Sequence, residues 1–564
     1  MAKTAPPTQA APSKVEELKR ASDGLEGQLQ QELTDGKANI SEDAYQLLKF
    51  HGSYQQDDRD VRRERKQQGL DRAWSFMVRT KFPGGRLSAE QYLVADELAD
   101  TYANHTLRIT TRQDFQFHGV GKTELKQLLR ALNERWMTTY GGCGDVARNT
   151  LTCPVADLLP GHGGFDFQAL AQQVSDRFLP ESTAYYELWL DGQKIMADGT
   201  PVKVQRSRSE SFYGPTYMPR KHKMGIGLPN DNCIDMFTHD LALEAITGED
   251  GAVVGFNLLA GGGLGSTHGK AETFPRLGDR IGFLPPQAAV EVLEAATAIY
   301  RDYGDRSNRR HARLKYVLEE RGVAWFQDEL AARLGWRLEP AAPVAGYGVD
   351  DHLGWHRQID GRWLVGVFVE NGRVKDTPES KGRSGLRAIV DEFRPELRLT
   401  AQQNIILANI DDEAKPRVEA ALASYGLSTG NHGLSTLRRY AMACPAYPTC
   451  GLAVAESERY LPDVIGELEA RGLGDERVWI RMSGCPNACS RPPTAEIGIV
   501  GRSLGLYNVF VGGSFEGTRL ARLYQPDVRA ADLVELLAGT IERWRAERAE
   551  GEAFGDWADR VLVA

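Results

Sequence analysis

Leu107-Arg-Ile-Thr-Thr-Arg-Gln-Asp-Phe-Gln-Phe-His118 reads as a strand, and it recurs in register at Leu397-Arg-Leu-Thr-Ala-Gln-Gln-Asn-Ile-Ile-Leu407. Leu107 matches Leu397, Arg108 matches Arg398, Thr110 matches Thr400 and Gln113 matches Gln403. The flanks repeat too. Trp74-Ser-Phe-Met-Val-Arg79 alternates as a half-buried strand does, and Trp363-Leu-Val-Gly-Val-Phe-Val369 parallels it. Ser88 to Tyr102 has helical periodicity, with Ser88 as N-cap and Gln91 three residues on. Ser384 to Phe393 is its counterpart. Elements in the same order at so long a period argue for a duplicated module rather than a solenoid. The predicted fold class is α+β: duplicated α/β modules related by pseudo-two-fold symmetry. Pro83-Gly84-Gly85 marks a turn, and Asp191-Gly192 and Asn371-Gly372 are hairpin signals. Helices are read from Pro286 through Tyr300 and over Ala530 to Glu550.

Length and composition bound the rest. The 564 residues suffice for roughly three to four domains, and with 41% apolar and 26% charged residues they can bury sizeable cores. The formal net charge of −9 argues against a nucleic-acid-binding protein, which would carry a broad basic face. A small anionic substrate must then be drawn by a local basic pocket. Residues 1–14, rich in Ala, Pro and Thr, read as a disordered tail. Residues 15–70 are strongly charged with little apolar stripe, so they read as a solvated face or as an arm laid over another part of the molecule. No segment approaches a membrane span or a signal peptide, which points to the cytoplasm and to no membrane partner.

Four of the seven cysteines form a pattern: Cys444 and Cys450, then Cys485 and Cys489. Four thiolates from two loops suit a soft metal centre, with an iron–sulfur cluster favoured over zinc, whose paired ligands usually stand closer in sequence. Cys143, Cys153 and Cys233 are scattered and read as buried small apolar side chains. Arg79, Arg108, Arg112 and Arg148 lie near strand ends of the first half. Met218-Pro-Arg-Lys-His-Lys223, if extended, points Lys221 and Lys223 to one face. Two ammonium groups side by side repel, so pairing them suits an anion between them. A basic stretch follows from Arg301 to Lys315. Leu258-Leu-Ala-Gly-Gly-Gly-Leu-Gly-Ser-Thr-His268 fails the dinucleotide register and reads as backbone that must approach something bulky closely.

Taken together, His51-Gly-Ser-Tyr-Gln-Gln-Asp-Asp-Arg-Asp60, Arg112-Gln-Asp-Phe-Gln-Phe-His118, Pro219-Arg-Lys-His-Lys223, Phe256-Asn-Leu-Leu-Ala-Gly-Gly-Gly263 and the cysteine set resemble the sulfite/nitrite reductase family. Within it they resemble the assimilatory sulfite reductase hemoprotein branch, from about Phe50 to Trp557. The resemblance implies a [4Fe–4S] cluster on Cys444, Cys450, Cys485 and Cys489, with Cys489 also the axial ligand of a siroheme. It implies that Arg79, Arg148, Lys221 and Lys223 bind sulfite. Arg108, Arg112, Gln116, His118, Asn257, Gly262 and Gly263 would contact the macrocycle. Nitrite-reducing relatives typically carry asparagine at the position of Lys223, so the lysine resembles the sulfite branch. The implied reaction is the six-electron reduction of sulfite to sulfide in sulfur assimilation and cysteine biosynthesis. With no flavin or nicotinamide domain recognisable, electrons would come from an NADPH-dependent flavoprotein subunit or from ferredoxin. A ferredoxin–nitrite reductase and a non-catalytic metal protein are the competing readings. The implied division is a charged, partner-docking arm over 1–70, ferredoxin-like half-repeats over 71–150 and 343–430, a siroheme-binding α/β domain over 151–342, and a cluster-and-siroheme α/β domain over 431–564.

Overall fold

In both copies the recurring run folds as a hairpin, not as one strand. Leu107–Ile109 pairs antiparallel with Phe115–Val120, and Glu396–Leu399 pairs with Ile405–Ile410. The break has a local cause. Gln113 and Gln403 take left-handed φ angles of 56° and 70°. The Thr110 and Thr400 hydroxyls accept from the backbone N–H four residues on, at 3.3 and 3.0 Å, closing the turn. The structure, a computed structural model, describes residues 11–161, 164–196, 198–430 and 433–563. Most of the tail expected to be disordered therefore lies outside the described residues.

Around each hairpin the half-module is completed by the strand Trp74–Arg79 or Trp363–Val367 and the helix Ala89–Tyr102 or Gly382–Phe393. Ser88 caps its helix as read: its hydroxyl accepts from Gln91 N–H at 3.1 Å while the Gln91 carbonyl accepts from Ser88 N–H at 2.9 Å. The halves exchange short strands. Arg86–Leu87 pairs with Glu396–Leu399, and Arg373–Val374 pairs with Leu107–Ile109. Asn371-Gly372 therefore makes a turn (φ 51° and 74°) but no hairpin, because the strand after it crosses to the other half's sheet. Asp191-Gly192 ends the helix Ala184–Leu190 in the left-handed region; the hairpin of Gln193–Ile195 with Pro201–Lys203 follows it.

The duplication also reaches two further sheets whose sequences show no repeat. In one, Leu151–Thr152, Met224–Gly227 and Leu241–Thr247 pair in parallel, and Val253–Ala260 and Asp279–Leu284 extend the sheet antiparallel. In the other, Ala441–Ala443, Ile480–Ser483 and Ile497–Ser503 are parallel, and Leu506–Val511 and Arg522–Arg529 are antiparallel. A helix follows each, Ala289–Tyr303 and Ala530–Glu547. Val253–Ala260 runs into irregular backbone rather than a helix, which removes a dinucleotide site from the glycine stretch.

The charged arm is laid over the body, the second of its two readings. Its strand Ser53–Asp57 pairs with Trp74–Arg79, so a boundary at residue 70 cuts a sheet. Leu25, Leu29, Leu47, Leu48 and Phe50 enter the main core. Lys19 is buried, donating to the Met218 carbonyl at 2.9 Å and pairing with Glu16 at 2.5 Å. Apolar residues spaced for a segment that wraps show no helical stripe. Among the described residues no helix is long and apolar enough to cross a membrane.

Candidate functional site

Parallel strands place the first cysteines. Ala441–Ala443 and Ile480–Ser483 run side by side and end next to Cys444 and Gly484-Cys485, so two ligands emerge together at their carboxyl ends. Gly484 N–H approaches Cys444 Sγ at 3.4 Å. A Cβ on Gly484 would stand 2.5 Å from both Ala446 Cβ and the Ala455 carbonyl, so the two loops close only over glycine. Cys450 sits in the turn that follows, its N–H donating to the Ala446 carbonyl at 2.7 Å. Arg59 of the arm donates to the carbonyls of Cys450 and Ala453 at 3.2 and 2.6 Å and stacks on Tyr447.

The four thiols are not equivalent. Cys444 and Cys485 are buried, Cys450 is half-buried and Cys489 is exposed. Burial first, and then the neighbouring thiols, push Cys444 and Cys485 up to about 12 and Cys450 up to about 11. As bare thiols these three keep their protons, so a bound metal centre must displace them. Cys489 faces the cavity that holds the rest of the site.

That cavity is lined by Arg112, Lys221, Lys223, Arg313, Arg491 and Cys489, with Thr111, His239, Leu264, Gly265 and Asn487 among its other walls. Among the described residues no carboxylate lines it. Lys221 and Lys223 share it as the alternation predicts, while His222 between them turns away, its Nε2 3.1 Å from Thr297 Oγ1. Asp240 organises the wall from behind. It accepts the Arg313 fork at 2.7 and 2.8 Å and Lys223 N–H at 2.8 Å. Burial, and then Arg313 and Arg220, push the Lys221 ammonium down to about 7. Burial, Lys221 and Arg112 push Lys223 well below the usual lysine range. Asp240 answers Arg313 and Asp235 answers Arg491, while the crowded Lys221, Lys223 and Arg112 make a site ready for an anion.

Arg79 and Arg148 stand behind this lining. Arg79 can donate its Nε and Nη2 to the Gln116 side-chain oxygen at 3.2 and 2.5 Å, and Arg148 Nε donates to the Gly144 carbonyl at 2.9 Å. Both lie in electrostatic reach of Arg112, and Arg148 of Lys221. Arg108, expected at the macrocycle, has protein partners here. It donates to Glu458 at 3.0 Å and to the Ala443 carbonyl at 2.9 Å, bracing the segment that carries Cys444. Asn257 has protein partners too. Its amide donates to Glu244 at 2.8 Å and to the Ala342 carbonyl at 2.9 Å, and it accepts from Ala342 N–H at 2.8 Å, so it ties a linker rather than facing the cavity. Gly262 and Gly263 stand beside the cavity; a Cβ on Gly262 would meet the Phe237 carbonyl at 2.2 Å. Arg313, Arg491 and Asn487 were not singled out from sequence. Arg313 lay in the basic stretch, and Arg491 and Asn487 flank Cys489, which was the available signal.

The residues fit the two implied groups. Four cysteines converge from two loops, the donor set of a thiolate-held cluster. Buried polar atoms remain unpartnered among the described residues, including Arg112 Nε and the ring nitrogens of His118, which suits a macrocycle rich in carboxylates.

Comparison with known proteins agrees with this geometry. The family described as nitrite and sulphite reductase 4Fe-4S domain matches residues 143–338, and the nitrite/sulfite reductase ferredoxin-like half domain matches residues 71–135 and 356–425. The chain is 44% identical over 563 residues to the sulfite reductase [NADPH] hemoprotein beta-component of Shouchella clausii, covering 99% of this chain and 97% of that protein. It is 45% identical over 557 residues to the protein of the same name from Geobacillus kaustophilus, covering 98% and 96%. Among solved structures it resembles the Mycobacterium tuberculosis NirA protein, with a TM-score of 0.79 over 98% of this chain and 97% of that one at 24% identity, which shows the shared fold.

Proposed function

The chain belongs to the family of sulfite reductase hemoprotein beta-components, and from that premise we propose that it reduces sulfite to sulfide in the basic cavity beside Cys489. One observation carries the reading of the site: two lysines and three arginines share a cavity that no carboxylate among the described residues lines and that is closed by the exposed member of a four-cysteine set.

Cys444, Cys450, Cys485 and Cys489 would hold a [4Fe–4S] cluster, and Cys489 would also serve a siroheme. When bound, these groups supply one-electron transfer and a metal that accepts the sulfur of sulfite. The protein supplies the rest. Lys221, Lys223 and Arg112 hold the anion against the repulsion of its own charge, with Arg79 and Arg148 adding their field from behind. Each oxygen leaves as water and needs protons. Lys221, held near neutrality when no anion is present, takes up a proton as the anion binds and can pass it on at its Nζ. Asp240 grips the Nε–Nη2 edge of Arg313 and holds its guanidinium in place.

The electron donor in this reading is an NADPH-dependent flavoprotein, the partner that the relatives' name implies. The arm and the cluster loop form its docking surface. Leu452 and Val454 are exposed beside Cys450, and Arg59 joins that loop to the arm. A reducing cytoplasm, where cluster thiolates persist, is the compartment. The test is turnover of the purified chain with NADPH and a flavoprotein reductase, with ferredoxin, and with a dye donor on sulfite and on nitrite. A kcat/KM favouring sulfite and support by the flavoprotein are expected. A clear preference for nitrite overturns the substrate, and support by ferredoxin alone overturns the partner.

A further inference from the structure

Cys153, Asp231, Cys233 and His352 meet away from the four cysteines already described. Their two sulfurs, one carboxylate oxygen and one ring nitrogen all lie within 4.8 Å of one another. Cys153 Sγ is 2.8 Å from Asp231 Oδ2 and 3.9 Å from His352 Nε2, and that nitrogen is 3.1 Å from the same carboxylate oxygen. All but Asp231 are nearly sealed from solvent, and Asp231 is 9% exposed. Cys153 and Cys233 are buried as read, and they also meet beside Asp231 and His352.

The duplicated frame explains how they meet. Cys153 follows the strand Leu151–Thr152 as Cys444 follows Ala441–Ala443, and each is followed by proline. Cys233 stands as far beyond the end of Met224–Gly227 as Cys489 stands beyond Ile480–Ser483. Both strand pairs are parallel neighbours in equivalent sheets. The counterparts of Cys450 and Cys485 in this count are Leu159 and Pro229, which cannot ligate. The first copy thus keeps two thiols, too few for a thiolate-held cluster, and adds a carboxylate and an imidazole at single-ion spacing.

We propose that Cys153, Asp231, Cys233 and His352 bind one zinc ion as a closed tetrahedral site. The donors are mixed sulfur, nitrogen and oxygen, and a fourth protein ligand leaves no open position, which is the composition of a structural zinc centre. On binding, each thiol gives its proton to water, His352 gives up the proton it shares with Asp231, and the sulfurs coordinate as thiolates and the ring as neutral imidazole; no electron is transferred. The ion joins three segments distant in sequence: the end of the strand at residue 152, the loop at 231–233, and the linker that enters the second half-module at Gly354. Ile234, next to Cys233, lines the basic cavity, and its carbonyl accepts from Arg491 Nη1 at 3.1 Å. The ion would therefore brace one wall of that cavity without touching substrate.

The test is elemental analysis and zinc-edge X-ray absorption of the purified full chain carrying its iron groups. One zinc per chain is expected, with two sulfurs at about 2.3 Å and two nitrogen or oxygen ligands at about 2.0–2.2 Å. Zinc should fall more than tenfold in Cys153→Ser, Cys233→Ser and His352→Gln, and stay in Cys143→Ser. If the ligand variants do not fold, the absorption spectrum of the unaltered chain decides alone. Three results overturn the proposal: no zinc even after incubation with excess zinc salt, zinc without sulfur ligands, or a Cys153–Cys233 disulfide in unreduced peptides. Iron beyond that of the two iron groups, lost in the same variants, overturns the choice of zinc.

Discussion

At Lys223 the argument about substrate reduces to one side chain. Its side chain shares the cavity with Lys221, and Lys223→Asn removes one of the two lysines that face the anion. We expect kcat/KM for sulfite to fall about a hundredfold or more, as when a single stabilising donor is lost, with the siroheme absorbance unchanged. Loss of that absorbance would show a role in cofactor loading instead. Lys221 gives a pH signature. In the free protein it loses its proton above about 7, and a bound anion holds the proton on. Binding therefore takes up a proton, and sulfite affinity falls by up to about tenfold per pH unit from pH 7 upward. Lys221→Arg, which keeps its charge, should flatten that slope, and comparing the two enzymes cancels the ionisation of sulfite itself. Glu458 is the structural counterpart. Burial would push its carboxyl up, but Arg373 and Arg108 outweigh it and hold the group near 2. Its contribution is thus present above the ordinary glutamate range and is lost as pH falls from about 4.5 towards 2. Glu458→Gln leaves two buried arginines without their partner, at a cost of about 3–5 kcal/mol measurable as a lower denaturant midpoint, and it removes that acid-sensitive step.

Exchanged strands hold the two half-modules together, and two glycines permit the exchange. Gly372 has φ 74°, and a Cβ there would lie 2.3 Å from the Ile109 carbonyl. Its pseudo-symmetric mate Gly85 has φ 74° and would meet the Leu399 carbonyl at 2.5 Å. Gly372→Ala or Gly85→Ala should each destabilise by about 2–4 kcal/mol, combining left-handed strain with a backbone collision. Gly36→Ala is the control: φ is 77° with open space around it, so strain alone, about 1 kcal/mol, is expected in thermal unfolding. This scale also separates what was legible from what was not. The capping box at Ser88 and Gln91 is a local device, and it formed as read. Asn371-Gly372 reads as a hairpin, but the strand after its turn crosses over, because pairing partners are chosen by packing across the halves and not by the two turn residues.

Over the whole molecule the arm belongs to the body. Leu25, Leu29, Leu47, Leu48 and Phe50 are buried, and at about 1.5–3 kcal/mol each they contribute on the order of 10 kcal/mol, comparable to the net stability of a domain. Deleting residues 1–50 should therefore give aggregated protein, and the intact arm from Lys14 onward should resist limited proteolysis. A soluble truncation with unchanged unfolding would contradict that account. The sequence alone determined the duplicated α+β frame, the four-cysteine set and the sharing of one face by Lys221 and Lys223. Each depends on periodicity or spacing within a short stretch, which the covalent chain carries. Only the tertiary structure decided that Arg108 braces Glu458, that Asn257 ties the linker, and that Arg313 and Arg491 reach the cavity. It alone brought Cys153, Asp231, Cys233 and His352 together. Those contacts join residues tens to hundreds of positions apart, and no local pattern records which distant side chain a buried charge or thiol will meet.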